Sequence, residues 1–301
     1  MLSIVSPGQG SQRQGMFVEW LKNSTVEKQI INYSKITDLD LIKLGTISSD
    51  DEIRNTSIAQ ILLTLNSIIS FQELIKQKQI DLNSVIFAGH SVGELASGYF
   101  AGFYDEETAI LLALARGKFM YECSKKSETG MSAILGGDKE EVTTQVSNFD
   151  LEIANVNCDG QIVVAGLVEN LEQLEKNPIQ NTRVRRLQVS GAFHTKYMKE
   201  AQDKFREFTS GVTFQNAKFR FISNSNGEEI RSGNEFRDKL VNQITSPVRW
   251  DLCQDKLTSL GVSTLIELAP AGVLAGLIKR QNPAIKSILI NSLDDIKNLS
   301  I

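Results

Sequence analysis

Short apolar runs and longer stretches with helical periodicity alternate along most of the chain. Residues 2–6 and 85–88 are apolar runs of strand length. The stretch 57–77 repeats its large apolar residues at helical spacing, and Asn55 and Thr56 before it are suitable helix N-cap residues. Further helices are predicted at about 92–101 and 105–122. This alternation predicts an α/β fold in which helices cover a mostly parallel sheet.

The pattern changes after Ser124, where a polar linker leads into a series of shorter elements. These are a strand at 131–135, a helix at 139–147, strands at 151–157 and 161–165, a helix at 168–176 and a strand at 183–189. The order βαββαβ is the ferredoxin-like pattern. We therefore predict a larger α/β core formed by residues 1–124 and 191–301, with a ferredoxin-like small subdomain inserted at 125–190.

The apolar run 85–88 leads directly into the sequence Gly-His-Ser-Val-Gly and then into an apolar helix. A G-x-S-x-G between a strand and a helix is typical of a nucleophile elbow, which presents a serine hydroxyl above the sheet. The two glycines allow the backbone to turn without a Cβ clash, and the helix N-terminus favours negative charge near the hydroxyl. The candidate nucleophile is Ser91.

A serine hydroxyl needs a base within hydrogen-bond reach, and the sequence holds only two histidines. His90 is adjacent to Ser91 at the strand end, where neighbouring side chains point to opposite faces, so we expect it to be packed away from the hydroxyl. His194 lies in a glycine-bearing loop between a predicted strand and helix, a common location for catalytic groups. By elimination, His194 is the predicted base.

Composition limits the other possibilities. A net charge of −4 and a pI near 5.5 give no electrostatic reason to expect nucleic acid as a partner. No run of eighteen uninterrupted apolar residues is present, and the N-terminus is typical of a short strand, so we expect neither a membrane partner nor a signal peptide. Three widely spaced cysteines in no metal-binding pattern predict reduced thiols in a cytoplasmic protein.

Three further features bear on the chemistry. The turn Gly8-Gln9-Gly10 after the first strand permits close backbone approach, so it and the Val92 N–H are candidates for an oxyanion hole. A phosphate-cradling loop is the alternative for that turn, although it lacks the P-loop lysine. Arg116 lies in an apolar helix, where it is either an ordinary arginine, on a surface face or in a structural ion pair, or faces a substrate carboxylate. Glu94 is predicted to interact with the helix dipole rather than to act as an acid.

Several separated segments, taken together, resemble the malonyl-CoA:acyl carrier protein transacylases of bacterial fatty acid synthesis, and the actinobacterial members in particular. The resemblance spans nearly the whole chain in order. The segments that carry it are Pro7-Gly8-Gln9-Gly10-Ser11-Gln12, Gly89-His90-Ser91-Val92-Gly93-Glu94, Arg116, residues 129–138, residues 154–157, Gly191-Ala192-Phe193-His194, Asn242-Gln243, Pro247-Val248-Arg249-Trp250 and residues 267–272.

The resemblance implies a hydrolase-like α/β core with an inserted ferredoxin-like subdomain. It also implies that the malonyl group of malonyl-CoA passes to Ser91 as an ester and then to the phosphopantetheine thiol of acyl carrier protein. The implied site roles are Ser91 and His194 as the catalytic dyad, Gln9 and Val92 as oxyanion-hole donors, Arg116 as the malonyl carboxylate ligand and Gln243 as the residue that orients the histidine.

By the same resemblance, Phe193 fills the space that an α-methyl branch of the acyl group would need. The protein is expected to be a monomer. It is expected to need no metal and no cofactor, since malonyl-CoA is a substrate. A carrier protein of polyketide synthesis, an acyl-thioester hydrolase and a non-catalytic carrier-binding module remain the alternatives. Candidate docking residues for the acidic carrier protein are the basic side chains Arg183, Arg185, Arg186, Lys196 and Lys199.

Overall fold

The computed structural model describes residues 1–189 and 191–299, which form two sheets and the helices around them. The strands are β1 (Leu2–Ser6), β2 (Val85–Gly89), β3 (Thr129–Gly136), β4 (Glu152–Cys158), β5 (Gln161–Leu167), β6 (Thr182–Arg186), β7 (Arg220–Ile222), β8 (Glu229–Ile230), β9 (Val248–Arg249), β10 (Thr264–Glu267) and β11 (Lys286–Leu289). The α-helices are α1 (Ser24–Thr37), α2 (Leu41–Thr46), α3 (Asp50–Arg54), α4 (Thr56–Gln77), α5 (Gly93–Ala101), α6 (Glu106–Ser124), α7 (Lys139–Gln145), α8 (Val168–Lys176), α9 (Lys199–Ser210), α10 (Gly233–Asn242), α11 (Trp250–Ser259), α12 (Val273–Gln281) and α13 (Leu293–Lys297).

The larger sheet has six strands in the order β11-β10-β1-β2-β7-β8. All neighbours are parallel except β8, which runs antiparallel to β7. Side chains alternate between the two faces, so Ile4 and Phe87 join one apolar core while Val5 and Ile86 join another. Helices cover both faces, which is why side chains on both faces of the central strands β1 and β2 are buried. The mostly parallel sheet with helical layers agrees with the predicted α/β fold.

Helix α4 is the long apolar element that the sequence predicts at 57–77. Asn55 caps it by accepting a hydrogen bond from the Ser57 N–H at 3.0 Å. By length and composition this helix could span a membrane, but 83% of its most apolar window is buried inside the protein, against α5 and α6 among others. Burial in the core therefore accounts for its apolar character.

The smaller sheet has five strands in the order β6-β3-β5-β4-β9. Its first four strands are antiparallel and, numbered along the chain, lie in the order fourth, first, third, second, which is the ferredoxin-like arrangement. The fifth strand, β9, comes from outside residues 125–190 and pairs in parallel with β4. This pairing, which the sequence pattern did not predict, joins the C-terminal part of the chain to the smaller sheet. The division at residues 125–190 remains a prediction.

Candidate active site

Ser91 lies in a tight turn between β2, which ends at Gly89, and α5, which begins at Gly93. Its backbone has φ +51°, in the left-handed region that non-glycine residues seldom adopt. A Cβ at Gly89 would lie 2.2 Å from the Gly93 carbonyl carbon, and a Cβ at Gly93 would lie 2.2 Å from the Ser6 carbonyl oxygen. Both glycines are therefore sterically required, as the G-x-S-x-G pattern predicts.

His194 contacts the nucleophile directly. The Ser91 Oγ lies 2.8 Å from His194 Nε2, and His194 Nδ1 lies 2.7 Å from the backbone carbonyl oxygen of Gln243. A carbonyl oxygen can only accept, so Nδ1 must carry the proton and Nε2 presents its lone pair to the serine hydroxyl. This is the tautomer that a general base needs, and a carbonyl rather than a carboxylate fixes it.

The histidine is buried, which changes its basicity. Burial, together with the nearby positive charge of Arg116, lowers the pKa of His194 to about 3. The imidazole is therefore neutral at physiological pH and available to accept a proton. Its backbone, like that of Ser91, has a positive φ, here +64°. Both members of the pair are thus held in conformations that the surrounding structure must enforce.

Arg116 projects from α6 to the same point. Its Nη2 donates to Gln243 Oε1 at 2.7 Å and to Ser91 Oγ at 3.3 Å, and its Nη1 donates to Gln60 Oε1 at 2.7 Å. The residue is only 1% exposed, and within residues 1–189 and 191–299 no carboxylate forms an ion pair with it. Burial lowers the pKa of Arg116 to about 10, so it remains charged. Of the two interpretations of Arg116, the structural ion pair receives no support.

The Nε of Arg116 is buried and has no hydrogen-bond partner among the described residues. Buried donors are normally paired, so an unpaired one on a charged side chain is informative. Leaving such a donor without an acceptor costs free energy that a bound anion would recover. The guanidinium therefore keeps one N–H donor that no group among the described residues accepts from.

Gln243 contacts the site through both its backbone and its side chain. The backbone carbonyl holds His194, as described above, while the side-chain oxygen accepts from Arg116. The side-chain nitrogen donates to Glu94 Oε2 at 2.7 Å and to Asn224 Oδ1 at 3.0 Å. The predicted orienting contact with the histidine is therefore made by the backbone, and the side chain of Gln243 positions the arginine.

The two predicted oxyanion-hole residues lie at the same cavity. Gln9 and Val92 both line it, and among the described residues neither backbone N–H donates to a protein acceptor. A Cβ at Gly8 would lie 2.7 Å from the His90 carbonyl oxygen, and Gly10 has φ +105°. Both glycines thus allow the Gln9 loop to approach the elbow. The Gln9 side chain donates through Nε2 to Thr56 Oγ1 at 3.1 Å.

The cavity beside Ser91 has a volume of about 70 Å³. Besides the pair Ser91 and His194, its walls include Gln9, Gln60, Val92, Arg116, Met120, Met131 and Phe193. A larger groove of about 770 Å³ opens beside it, and the two share His90, Asn155 and Leu187 in their walls. The shared walls place the groove directly next to the cavity at Ser91.

His90 is not placed to act as the base. Its Nε2 lies 2.9 Å from Asn157 Oδ1 on β4, and its ring packs edge-on against Trp250. Burial lowers the pKa of His90, so it too is neutral. The elimination that selected His194 therefore agrees with the geometry.

Three site residues were missed or misjudged from the sequence. Gln60 and Asn224 gave no local signal, because an amide within an apolar helix or after a short strand has many structural explanations. Glu94 lies in the first turn of α5, as its predicted interaction with the helix dipole requires, but the sequence did not show that it is 1% exposed and bonded to Gln243 and Asn224. The available signal was a charged residue in an otherwise apolar helix. No group of three or more potential metal ligands occurs within the described part of the chain.

Ser91 lies at an elbow, the Nε2 lone pair of His194 faces its hydroxyl, and the N–H groups of Gln9 and Val92 have no protein acceptor among the described residues. With the buried arginine beside them, these groups define a serine-dependent acyltransferase site on an α/β fold. The family model for the acyl transferase domain matches residues 4–288. The malonyl CoA-acyl carrier protein transacylase of Mycobacterium tuberculosis is 40% identical over 99% of this chain and 100% of its own length. The chain belongs to the malonyl-CoA:acyl carrier protein transacylase family.

Solved structures agree with this assignment. The crystal structure of the M. tuberculosis transacylase aligns with a TM-score of 0.94 at 40% identity, covering 99% of both chains. The malonyl-transacylase PlMCAT, solved in complex with the type II polyketide synthase acyl-carrier protein AntF, aligns with a TM-score of 0.93 at 29% identity, covering 98% of this chain and 97% of that one. Both show the hydrolase-like fold with its smaller second sheet.

Proposed function

We propose that this protein transfers the malonyl group of malonyl-CoA to the phosphopantetheine thiol of acyl carrier protein through a malonyl ester of Ser91, in fatty acid biosynthesis. The observation that carries the proposal is the buried, carboxylate-free guanidinium of Arg116 within 3.3 Å of the nucleophile. An acyl-enzyme with an uncharged acyl group has no need of such a charge. A malonyl group, in contrast, brings a carboxylate that can pair with the Arg116 guanidinium.

In the first half-reaction, Ser91 Oγ attacks the thioester carbonyl while its proton passes to His194 Nε2. The carbonyl oxygen becomes an oxyanion, which the N–H groups of Gln9 and Val92 stabilise. Collapse of this intermediate breaks the carbon–sulfur bond, and the imidazolium returns the proton to the departing sulfur of coenzyme A. The products are malonyl-Ser91 and free coenzyme A, with His194 neutral again.

The second half-reaction repeats these steps with a new thiol. The phosphopantetheine thiol of the carrier protein gives its proton to His194 Nε2 and attacks the ester carbonyl. The same two N–H groups hold the oxyanion, and the proton then goes to Ser91 Oγ as the ester breaks. This chemistry needs neither a metal nor a cofactor beyond the substrates, because the chain supplies every acid, base and donor.

The groove that leads to Ser91 suits ligands rich in negative charge. Its wall includes a single carboxylate, Asp50. Its basic residues are Arg13, Arg54, Arg185, Arg186 and Arg280, of which Arg54 pairs with Asp51 and Arg186 pairs with Glu175. The phosphates of coenzyme A and an acidic carrier protein would both be attracted to such a surface. Of the other docking candidates, Lys196 pairs with Glu152 and Lys199 with Asp203.

Phe193 is expected to set the size of the acyl group. Its ring is buried in the cavity wall beside Ser91 and packs over Gly191, where a Cβ would lie 3.0 Å from the ring. Replacing Phe193 by serine should raise the ratio of methylmalonyl-CoA to malonyl-CoA use by about tenfold, since a methyl group's worth of space decides between the two substrates. Competition assays with both thioesters would measure the ratio. An unchanged ratio would show that another residue limits the pocket.

The product distinguishes this function from an acyl-thioester hydrolase. With malonyl-CoA and holo-acyl carrier protein present, we expect malonyl-carrier protein as the main product, detected by intact mass. Free malonate formed at the same rate with or without carrier protein would instead support the hydrolase. Running carrier proteins of fatty acid and polyketide synthesis in parallel tests the physiological partner.

The buried free thiols of Cys123, Cys158 and Cys253 support a cytoplasmic location.

A further inference from the structure

Among residues 1–189 and 191–299, Glu94 is the one buried carboxylate that bonds to Gln243, and the transfer mechanism above gives it no role. It lies in the first turn of α5, three residues after the nucleophile. Its Oε1 accepts from the Asn224 N–H at 2.6 Å and its Oε2 accepts from Gln243 Nε2 at 2.7 Å. Asn224 is itself fixed by donating to the Gly89 carbonyl at 2.8 Å. Glu94 therefore links the elbow to the ends of two other elements.

The carboxylate determines how the Gln243 amide is oriented. An ionised carboxylate only accepts hydrogen bonds, so it selects the amide orientation whose nitrogen faces Glu94. The amide oxygen then faces the opposite way, toward Arg116 Nη2 at 2.7 Å. Were the amide reversed, it would present N–H groups to a guanidinium that is also only a donor. Asn224 Oδ1 at 3.0 Å and the Ser91 carbonyl oxygen at 3.3 Å also accept from the Gln243 nitrogen, and Glu94 provides the shortest of these contacts and the only charged one.

The Gln243 amide lies between the Glu94 carboxylate and the Arg116 guanidinium and bonds to both. Glu94 and Arg116 attract each other, yet no direct ion pair joins them. A direct pair would occupy the guanidinium donors that an incoming carboxylate requires. Because Gln243 also holds His194 through its backbone carbonyl, an ordered amide at this position supports both the base and the carboxylate ligand.

We propose that Glu94 is a positioning residue for malonyl transfer, which fixes the Gln243 amide so that Arg116 is held ready for the substrate carboxylate and His194 for the serine. The inference rests on the proposed function. It predicts that loss of the acceptor at position 94 changes catalysis beyond any loss of stability.

The test compares Glu94→Gln with wild type and with Glu267→Gln as a matched control. Glu267 is equally buried and likewise accepts two hydrogen bonds, from the backbone N–H groups of Leu274 and Ala275, but it contacts none of Ser91, His194, Arg116 and Gln243. We expect both variants to have a lower Tm. Glu94→Gln should also show a rise in KM for malonyl-CoA and a fall in kcat, each of about tenfold, while the control stays within twofold of wild type.

The pH dependence gives a second readout that does not require the variant to fold. Burial raises the pKa of Glu94 to about 7, so below that pH the carboxyl is protonated and no longer presents two charged acceptor oxygens, one to the Asn224 N–H and one to Gln243 Nε2. Since the pKa of His194 is near 3, the histidine does not titrate in this range. We therefore expect kcat/KM of the wild type to fall as the pH drops from 8 to 6. The titratable groups that face Glu94 from other elements are Tyr104, Arg116, Lys239 and Cys253.

The outcomes separate the two proposals. The positioning role holds if wild type transfers malonyl to carrier protein and Glu94→Gln differs from Glu267→Gln in KM, in kcat and in the fall of kcat/KM between pH 8 and 6. If wild type transfers malonyl but the two variants share the same kinetics, or the wild-type profile is flat from pH 8 to 6, the positioning role is overturned while the function stands. If wild type makes no malonyl-carrier protein, the proposed function itself fails.

Discussion

Replacing His194 by alanine is expected to slow the acylation of Ser91 by about 100- to 10,000-fold, the range that positioned general bases contribute. The physical reason is the 2.8 Å contact of Nε2 with the serine hydroxyl, which no other base can replace. Stopped-flow or quenched-flow measurement of coenzyme A release in a single turnover checks this step directly.

The matched control for this prediction is His90→Gln, at the other histidine of the chain. A glutamine keeps a polar partner for Asn157, and His90 makes no contact with Ser91 Oγ among the described residues. We expect the control to lose less than about tenfold, through local packing. Equal losses in the two variants would contradict the assignment of His194 as the base.

Replacing Arg116 by alanine is expected to reduce kcat/KM for malonyl-CoA by at least about a hundredfold, because hydrogen bonds to a charged group are worth about 1.5–3 kcal/mol each and a carboxylate can take two. Acetyl transfer should suffer far less. The positive charge of Arg116 also lowers the pKa of His194, so its removal leaves a stronger base for substrates without a carboxylate.

Parallel assays with malonyl-CoA and acetyl-CoA measure this change in selectivity. Arg116→Lys is the informative companion, since it keeps the charge but loses the forked geometry, and we expect it to be intermediate for malonyl-CoA. The carboxylate role is contradicted if Arg116→Ala lowers transfer of both acyl groups by the same factor. Loss of stability alone would produce that uniform effect.

Local signals predicted much of the fold. The strands β1 and β2 and the helix α4 were found within one residue, because apolar runs, a cap at Asn55 and helical spacing are all short-range features. Helix α1 was missed although Asn23 caps it and its buried residues recur at helical spacing. The two-residue strand β9 could not be found, since its pairing with β4 joins segments about ninety residues apart in sequence.

The site residues, too, could be predicted where a local sequence signal exists and not where only packing determines their contacts. Ser91 and His194 could be selected because an elbow has a sequence signature and histidines are scarce. The burial of Arg116 and Glu94 had only a weak sequence signal, because a charged residue in an otherwise apolar helix is more often on a surface. Only the packing shows that Gln243 contributes its backbone to the histidine and its side chain to the arginine.

The most direct test of the central proposal is the identity of the atom that carries the malonyl group. Incubation with malonyl-CoA, followed by intact mass measurement and peptide mapping, should show one malonyl addition on Ser91 that disappears when holo-acyl carrier protein is added. The account predicts a matching malonyl gain on the carrier protein. A malonyl group on another residue, or a carrier protein that is loaded by a Ser91→Ala variant as fast as by wild type, would contradict it.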